Sequence, residues 1–270
     1  MRDFIHLHVH TQYSILDGQA SIPKLLQKAM RDGMRGMAVT DHGNMMGIKE
    51  FFNESGKLIS SARKEAKQLA EVPEGESEEQ RAEREKKLAD AERRAAFKPI
   101  FGCEMYVARR GMEQKVDTVD KSGWHLIVLA KNEKGYHNLI KLVSNAWIDG
   151  LYYRPRTDHE QLEKYHEGLI VCSACIAGEL PSKILAGDVA GAEETLLWFK
   201  KVFGDDYYVE LQRHKVTDPA QRANRETFPL QEQANKVMVE LAHKHGVKLV
   251  CTNDVHFVDE DNAEAHDRLI

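Results

Sequence analysis

Seven short apolar runs punctuate the chain, at roughly 4–9, 37–41, 100–107, 124–130, 168–173, 207–212 and 247–252. Each has the length and the polar borders of a strand. Between most of them the apolar residues recur at helical spacing. "SIPKLLQKAMRDG" predicts a helix capped at Ser21, with Pro23 in its first turn and Gly33 at its stop. "NEKGYHNLIKLVSNAWIDG", "VAGAEETLLWFKKVFG" and "FPLQEQANKVMVELAHKHG" each carry one apolar face and end at a glycine. Strand–helix alternation predicts parallel strands joined by helical crossovers. Seven such units predict an α/β fold, a closed or nearly closed (β/α)7 barrel in preference to an open doubly wound sheet. No Gly-rich phosphate loop follows the first run, which removes the usual dinucleotide-binding reading.

One stretch breaks the pattern. Residues 63–98 hold ten Lys or Arg and ten Asp or Glu, with only a weak stripe of alanines and Leu88. This predicts one or two solvated helices, a charged insert at about 63–95, with a turn at Pro73 and Gly75. Glu83 with Lys87, and Asp90 with Arg94, are spaced for i,i+4 pairs. At the other end, "DEDNAEAHDRLI" begins like a helix and stops at Ile270. The chain is therefore expected to be one domain, 1–270, of a longer protein.

Composition narrows the picture further. The net charge is −5 and is spread along the chain, so no basic tail marks it for nucleic acid. No run of 18 apolar residues is present to span a membrane. Four cysteines, Cys103, Cys172, Cys175 and Cys251, are too few for a disulfide framework at this size. They read as core residues or ligands in a reducing cytoplasm.

The thirteen histidines are the informative residues, because many stand where an apolar run ends. Barrel sites form where strands meet their following loops, at the C-terminal face. Run one ends at His8 and His10, with Asp17 in the next loop, and run two at Asp41 and His42. Run three carries Glu104 and run four begins with His125. Run five ends "VCSAC", with Cys172 and Cys175. Run six carries Glu210 and precedes His214, and run seven ends at Asp254 and His256. Carboxylates and imidazoles buried together need compensation for lost hydration, and metal ions supply it. An O, N and S donor set of this kind suits Zn, Mn or Fe. So many donors exceed one tetrahedral zinc, and fit two or three ions sharing a carboxylate.

"HLHVHTQYSILDG", "VTDHGNMMG", "GCEMYV" and "TNDVHFV" resemble the signatures of the PHP (polymerase and histidinol phosphatase) domain family. "HNLIKLVSNAWIDGLYYRPR" and "EGLIVCSACIAGELP" resemble its polymerase branch, the amino-terminal PHP domains of bacterial replicative DNA polymerases of the polymerase III alpha type. The resemblance covers nearly the whole chain except the charged insert. It implies a distorted seven-stranded barrel holding three divalent metal ions. By resemblance, His8, His10, Glu104 and Asp254 would hold one ion. Glu104, His125 and Cys175 would hold the second, and Asp17, His42 and His256 the third. Glu104, Asp17 and Asp254 would be the catalytic carboxylates. All nine positions carry a residue able to ligate.

Around these, Asp41 is expected to orient a ligand imidazole or close its turn. Glu210 is expected to face the barrel interior behind the ligands. His6 shares the face of His8 and His10 one strand repeat deeper, as a supporting histidine. Arg156 and His214 are candidates for contacting phosphate. The implied reaction is metal-assisted phosphodiester hydrolysis at the 3′ end of DNA, a proofreading exonuclease. The implied partners are DNA, the rest of a polymerase chain, a separate proofreading subunit and other replisome subunits, with no membrane. The alternatives are a metal-stabilised scaffold without catalysis, or a phosphatase of the histidinol phosphate type.

Overall fold

The computed structural model describes residues 4–269. Ile270, where the C-terminal helical pattern stops, lies outside the described residues. The strands are β1 (Gly36–Val39), β2 (Lys98–Val107), β3 (Trp124–Ala130), β4 (Arg156–Thr157), β5 (Leu169–Cys172), β6 (Tyr207–Gln212) and β7 (Lys248–Thr252). They form one seven-stranded sheet in the order β1-β2-β3-β5-β6-β7, with β4 on the flank of β2. The helices are α1 (Ile22–Arg31), α2 (Ile48–Ala70), α3 (Glu78–Ala95), α4 (Glu133–Ile148), α5 (His159–Lys164), α6 (Glu179–Leu185), α7 (Val189–Phe203), α8 (Arg222–Arg225), α9 (Thr227–His245) and α10 (Ala263–Asp267). None is long and apolar enough to cross a membrane.

The sheet is a distorted, curled one, and its membership differs from the seven apolar runs. The first run is not a strand. Its residues bridge both edges of the sheet in turn, His6 to Met37 and Val9 to Val255. Thr40 N donates to Val9 O (2.8 Å) and His10 N to Val255 O (2.7 Å). A bend at His8 keeps either pairing from extending into a ladder. The seventh strand is instead the two-residue β4, parallel to β2.

The second departure is direction. β3 runs antiparallel to both of its neighbours, β2 and β5. A parallel strand needs a crossover, usually a helix. The β2–β3 connection at 108–123 carries only a 3₁₀ turn, so the chain turns back across the top of the sheet. The start of β3 therefore lies at the same end as the finish of β2.

Alternation along the strands sorts the core. Ala38, Ile127, Leu129 and Cys172 meet inside the curl, with Ile100, Ile170, Tyr208, Val250 and Leu7 packed against them. On the outer face, Met105, Val107, Leu126 and Val128 pack under α4, α6, α7 and α9. Val9, Met37 and Val39 pack under α1 and the start of α2. Towards the strand ends, the inward positions become Glu104, Glu210, Gln212 and Thr252, all buried. The interior is thus apolar at one end and polar at the other.

The charged insert forms a helical hairpin. α2 starts at Ile48, well before the charge run, because Ile48, Phe51 and Ser55 are its buried side. Only Ala91 of α3 is buried. Ser77 and Gln80 form a capping box at the start of α3. Arg84 binds Glu76 with two nitrogens (2.6 and 3.1 Å) and donates to Leu69 O, closing the turn. The Glu83–Lys87 and Asp90–Arg94 pairs form, at 2.7 and 2.8 Å.

Candidate metal centre

The mouth of the curl gathers side chains from nearly every loop. Glu104 stands at its middle, fully buried. Its Oε1 lies 3.2 Å from His8 Nε2 and 2.8 Å from His125 Nδ1. Its Oε2 touches His42 Nδ1 and lies 3.8 Å from His10 Nε2. Asp254 Oδ1 lies 3.1 Å from His8 Nε2 and 3.2 Å from His10 Nε2. Asp17 Oδ2 meets His42 Nε2 at 2.9 Å and His256 Nε2 at 3.8 Å. Cys175 Sγ is 3.6 Å from His125 Nδ1. Three groups have donor atoms close enough to share an ion: His8, His10 and Glu104; His42, Glu104 and His125; His10, His42 and His256.

The strand geometry explains how these residues meet. His42 follows β1 and bridges to Glu104 on β2. His125 begins β3, and reaches the mouth only because β3 is reversed. Asp254 and His256 follow β7, where His10 pairs with Val255. Asp254 has a left-handed backbone, φ 50°, a conformation aspartate tolerates better than most residues. Ala174, at φ 61°, turns the chain so that Cys175 faces the mouth.

Surrounding hydrogen bonds fix the imidazoles. A carboxylate only accepts, so His8 Nδ1–H donates to Glu210 Oε1 (2.8 Å). Gln212 Nε2 also donates to that oxygen (3.1 Å), as does the Thr252 hydroxyl. The Ser14 hydroxyl donates to Asp41 Oδ1 (2.9 Å) and accepts from His42 N (3.2 Å). It is left to accept from His10 Nδ1–H (2.9 Å). Asp41 also accepts from Thr11 N and Thr11 Oγ1, which closes the 11–14 turn. His8 and His10 thus turn their Nε2 atoms toward each other, 3.1 Å apart, and toward two carboxylates.

This crowding tests whether metal ions fit. Asp17 Oδ1, His42 Nδ1, Glu104 Oε2 and Asp254 Oδ1 are buried without a hydrogen-bond partner. His42 Nδ1 and Glu104 Oε2 touch, yet not at a hydrogen-bonding angle. Buried polar atoms almost always have partners. Electron-pair donors pressed together without aligned protons are what cations between them would satisfy. The donor set fits divalent metal ions.

Without such ions, protons carry the balance. Burial disfavours charge on His42, but Asp17 and Glu104 outweigh it and push its pKa up to about 10. Burial likewise opposes charge on His8, and Asp254 and Glu210 raise it well above the usual histidine value. For His10 burial wins, and its pKa falls to about 4. Burial alone would raise Glu104 and Asp254, but the facing imidazoles hold both well below the usual carboxylate range. Burial, then the charges of Asp254 and Glu104, pushes the Cys175 thiol up. A bound cation reverses that push by coordinating the thiolate.

Three sequence-level assignments need correction. His6 does not face the interior. The bend at His8 sends Leu7 inward and His6 outward, edge-on to Phe4 and beside Leu25 and Lys28 of α1. Arg156 is buried and donates to the carbonyls of Gly150, Gln114 and Met112, at 3.1, 3.0 and 2.9 Å. It ties the 108–123 and 149–155 loops to β4 and is fully buried, out of reach of phosphate. His214 Nε2 donates to Asn253 O (2.8 Å) while Nδ1 accepts from Gln231 (3.0 Å), so its ring is committed to holding the loop after β7. Ser14 holds His10 directly, while Thr11 holds Asp41, and Gln212 and Thr252 hold Glu210; the sequence pattern singles out none of these supports. Small polar residues in turns carry no periodic signal. Ser14 alone has a hint, four residues after His10.

Residues 6–214 match the family model described as PHP domain. This chain belongs to the PHP domain family. The matched span of this PHP domain includes His8, His10, Asp17, His42, Glu104, His125 and Cys175, while Asp254 and His256 lie beyond it. The PHP domain is also similar to the protein named DNA polymerase III subunit alpha in several bacteria. In Borreliella burgdorferi the identity is 41% over 268 residues, covering 99% of this chain and 19% of that protein. In Treponema pallidum it is 36% over 269 residues, covering 99% and 19%. In Aquifex aeolicus it is 35% over 275 residues, covering 100% and 20%. The chain thus spans about a fifth of the length of these relatives, and closely resembles the PHP domain of such subunits.

Proposed function

We propose that this PHP domain is a metal-dependent phosphodiesterase that removes nucleotides from the 3′ end of DNA, within a protein of the DNA polymerase III alpha type. The observation that supports the reading is that nine side chains able to ligate meet at one mouth, six of them in groups whose donor atoms could share an ion, with buried oxygens that lack donors. We assign His8, His10, Glu104 and Asp254 to one ion, Glu104, His125 and Cys175 to a second, and Asp17, His42 and His256 to a third. Zn, Mn and Fe all suit this donor set. When bound, such ions lower the pKa of a water and draw charge from phosphoryl oxygens.

The chain's own residues do the rest. Glu210 and Ser14 hold the Nδ1 protons of His8 and His10, so both imidazoles present their lone pairs inward. Glu104 turns Oε1 to His8 and His125 and Oε2 to His42 and His10, so it reaches residues of all three groups. Asp17 and Asp254 are the more open carboxylates, 27% and 17% exposed. That openness supports assigning to them the proton of the attacking water, to be passed to solvent. The partners that follow are a DNA 3′ end, the rest of the polymerase chain, a proofreading subunit and other replisome subunits, in the cytoplasm.

The test is release of single nucleotides from 3′-labelled DNA in the presence of Mn or Zn. Glu104→Gln, Asp17→Asn and Asp254→Asn are each expected to lower the rate at least about 100-fold. Equal release by all three variants would refute the assignment and indicate a contaminating nuclease. A second reading, a metal-stabilised scaffold, is favoured by one observation. The ligands His8, His10, Asp254 and His256 lie on the two segments whose pairing closes the sheet. Full metal occupancy with no nucleotide release from the intact protein would select it.

A further inference from the structure

The loop at 149–155 borders the centre and carries two side chains that the reaction outlined above leaves unused. Arg154 is half-buried, and among the described residues its guanidinium makes no hydrogen bond and no ion pair. It lies over the ring of Tyr106, 5.7 Å from its centre. Tyr106 in turn stands edge-on to His125 at 5.2 Å and stacks near His42 at 6.1 Å. Of the arginines nearby, Arg156 is committed to three carbonyls and Arg110 to Asp120, while Arg109 is exposed and lies over the Trp124 ring, 5.3 Å from its centre. A guanidinium held partly out of water without an anion calls for one from outside, and its planar fork matches phosphate.

Its neighbour Tyr153 is 68% exposed, with φ 60°. A left-handed backbone is strained for a residue with a Cβ. Here that conformation turns an aromatic ring out to solvent and gains no burial for it. Lys121 Nζ lies 4.8 Å from the ring centre, and Tyr152 supports it edge-on at 5.0 Å. The loop is also anchored to the site. Trp147 Nε1 donates to Gly43 O (2.7 Å), and Pro155 packs so tightly on Gly43 that a Cβ there would come within 2.7 Å of it. Gly43 directly follows His42.

The geometry points to a clamp for single-stranded DNA, in which Arg154 holds a backbone phosphate next to the reacting one and Tyr153 stacks on a base. Aromatic rings with flanking cations bind single strands this way. A paired base inside a duplex is stacked already, so the clamp favours an unpaired or frayed end. A small phosphate monoester has neither a base nor a second phosphate to offer. The inference rests on the exonuclease reading and names its substrate form.

The experiment has two arms on the same chain. The first is fluorescence anisotropy of a labelled oligo(dT) single strand, with a blunt duplex for comparison. The second is Mn-dependent hydrolysis of that strand against bis(p-nitrophenyl) phosphate. Tyr153→Ala and Arg154→Gln are expected to weaken single-strand binding about 10-fold or more, while Tyr153→Phe stays within about 2-fold of the parent. Both losses should be at least about 10-fold larger on kcat/KM for the oligonucleotide than for the small ester. Unchanged binding by Tyr153→Ala, equal losses on both substrates, or a parent chain that prefers duplex would each overturn the clamp. A parent that binds single strands through Tyr153 but releases no nucleotide would leave the clamp standing and remove the exonuclease. Release that Tyr153→Ala does not slow would do the reverse.

Discussion

Glu210 makes one bond to a ligand, and that bond decides which nitrogen of His8 faces the centre. Replacing it by glutamine keeps the size but removes the charge that fixes the Nδ1 proton. Glu210→Gln is expected to weaken metal binding about 10- to 100-fold, read by calorimetric titration of chelator-treated protein. Unchanged affinity would show that the tautomer is set elsewhere. Glu179 offers a test away from the centre. It is buried and bonded to His159 (2.8 Å) and Lys183 (2.9 Å). Burial alone would raise its pKa, but these partners lower it below the usual glutamate value. A lowered folded-state pKa stabilises the protein above the unfolded value, and that stability is lost as pH falls through the folded one. Glu179→Gln should therefore cost about 1–2 kcal/mol at neutral pH and flatten the acid side of the stability profile, seen in urea melts at pH 7 and pH 4. At this scale the sequence was informative where spacing carries meaning. HxH and DxH each bring two donors to the mouth from one segment, while DH brings only His42, its neighbour Asp41 turning to Thr11 and Ser14. The sequence was silent on Arg154 against Arg156, two residues apart, because Arg156 enters β4 and is buried while Arg154 stays in the loop before it.

Elements were legible in kind and less so in direction. The apolar runs located six of the seven strands, and the helical faces located α1, α4, α7 and α9. Alternation of strands and helices does not report that a strand is reversed. The signal was present in what 108–123 lacks, an amphipathic stretch long enough for a parallel crossover. β2 and β3 also lie unusually close at Gly102. A Cβ there would come 2.6 Å from Leu129 Cδ2 and 2.8 Å from Val128 O. The side chain of Leu129 can shift, but the carbonyl cannot without moving β3. Gly102→Ala is expected to destabilise the fold by about 1–3 kcal/mol, by denaturant melts, and to reduce metal uptake through Glu104 two residues on. A variant as stable as the parent would mean the strands part without cost.

For the molecule as a whole, ions that bind only the folded chain add stability by mass action. At one hundred times the dissociation constant this is about 2.7 kcal/mol per site. For a chain of this size, each kcal/mol moves the melting temperature by about 2–4 °C. Chelation should therefore lower it by roughly 5–10 °C for each site emptied, measured by scanning calorimetry with and without added Zn or Mn. A melting temperature indifferent to metal would contradict the fit of the donor set. The curled architecture was expected from the count of apolar runs. The means of closure was not, because the first segment bonds to both sheet edges by single bridges that no period records.

The reversal of β3 also divides the site in time. Glu104 and His125 sit on adjacent antiparallel strands, joined by a short stretch of chain, so they can meet early in folding. His8 and His10 meet Asp254 only when segments from opposite ends of the chain pair, at Val9 and Val255. Closing so long a loop comes late, since its entropy must be overcome before its contacts form. One half of the centre is therefore local and the other half is the final seam of the fold. A nascent or clipped chain would carry the local half alone, and full metal uptake would mark the moment the seam closes.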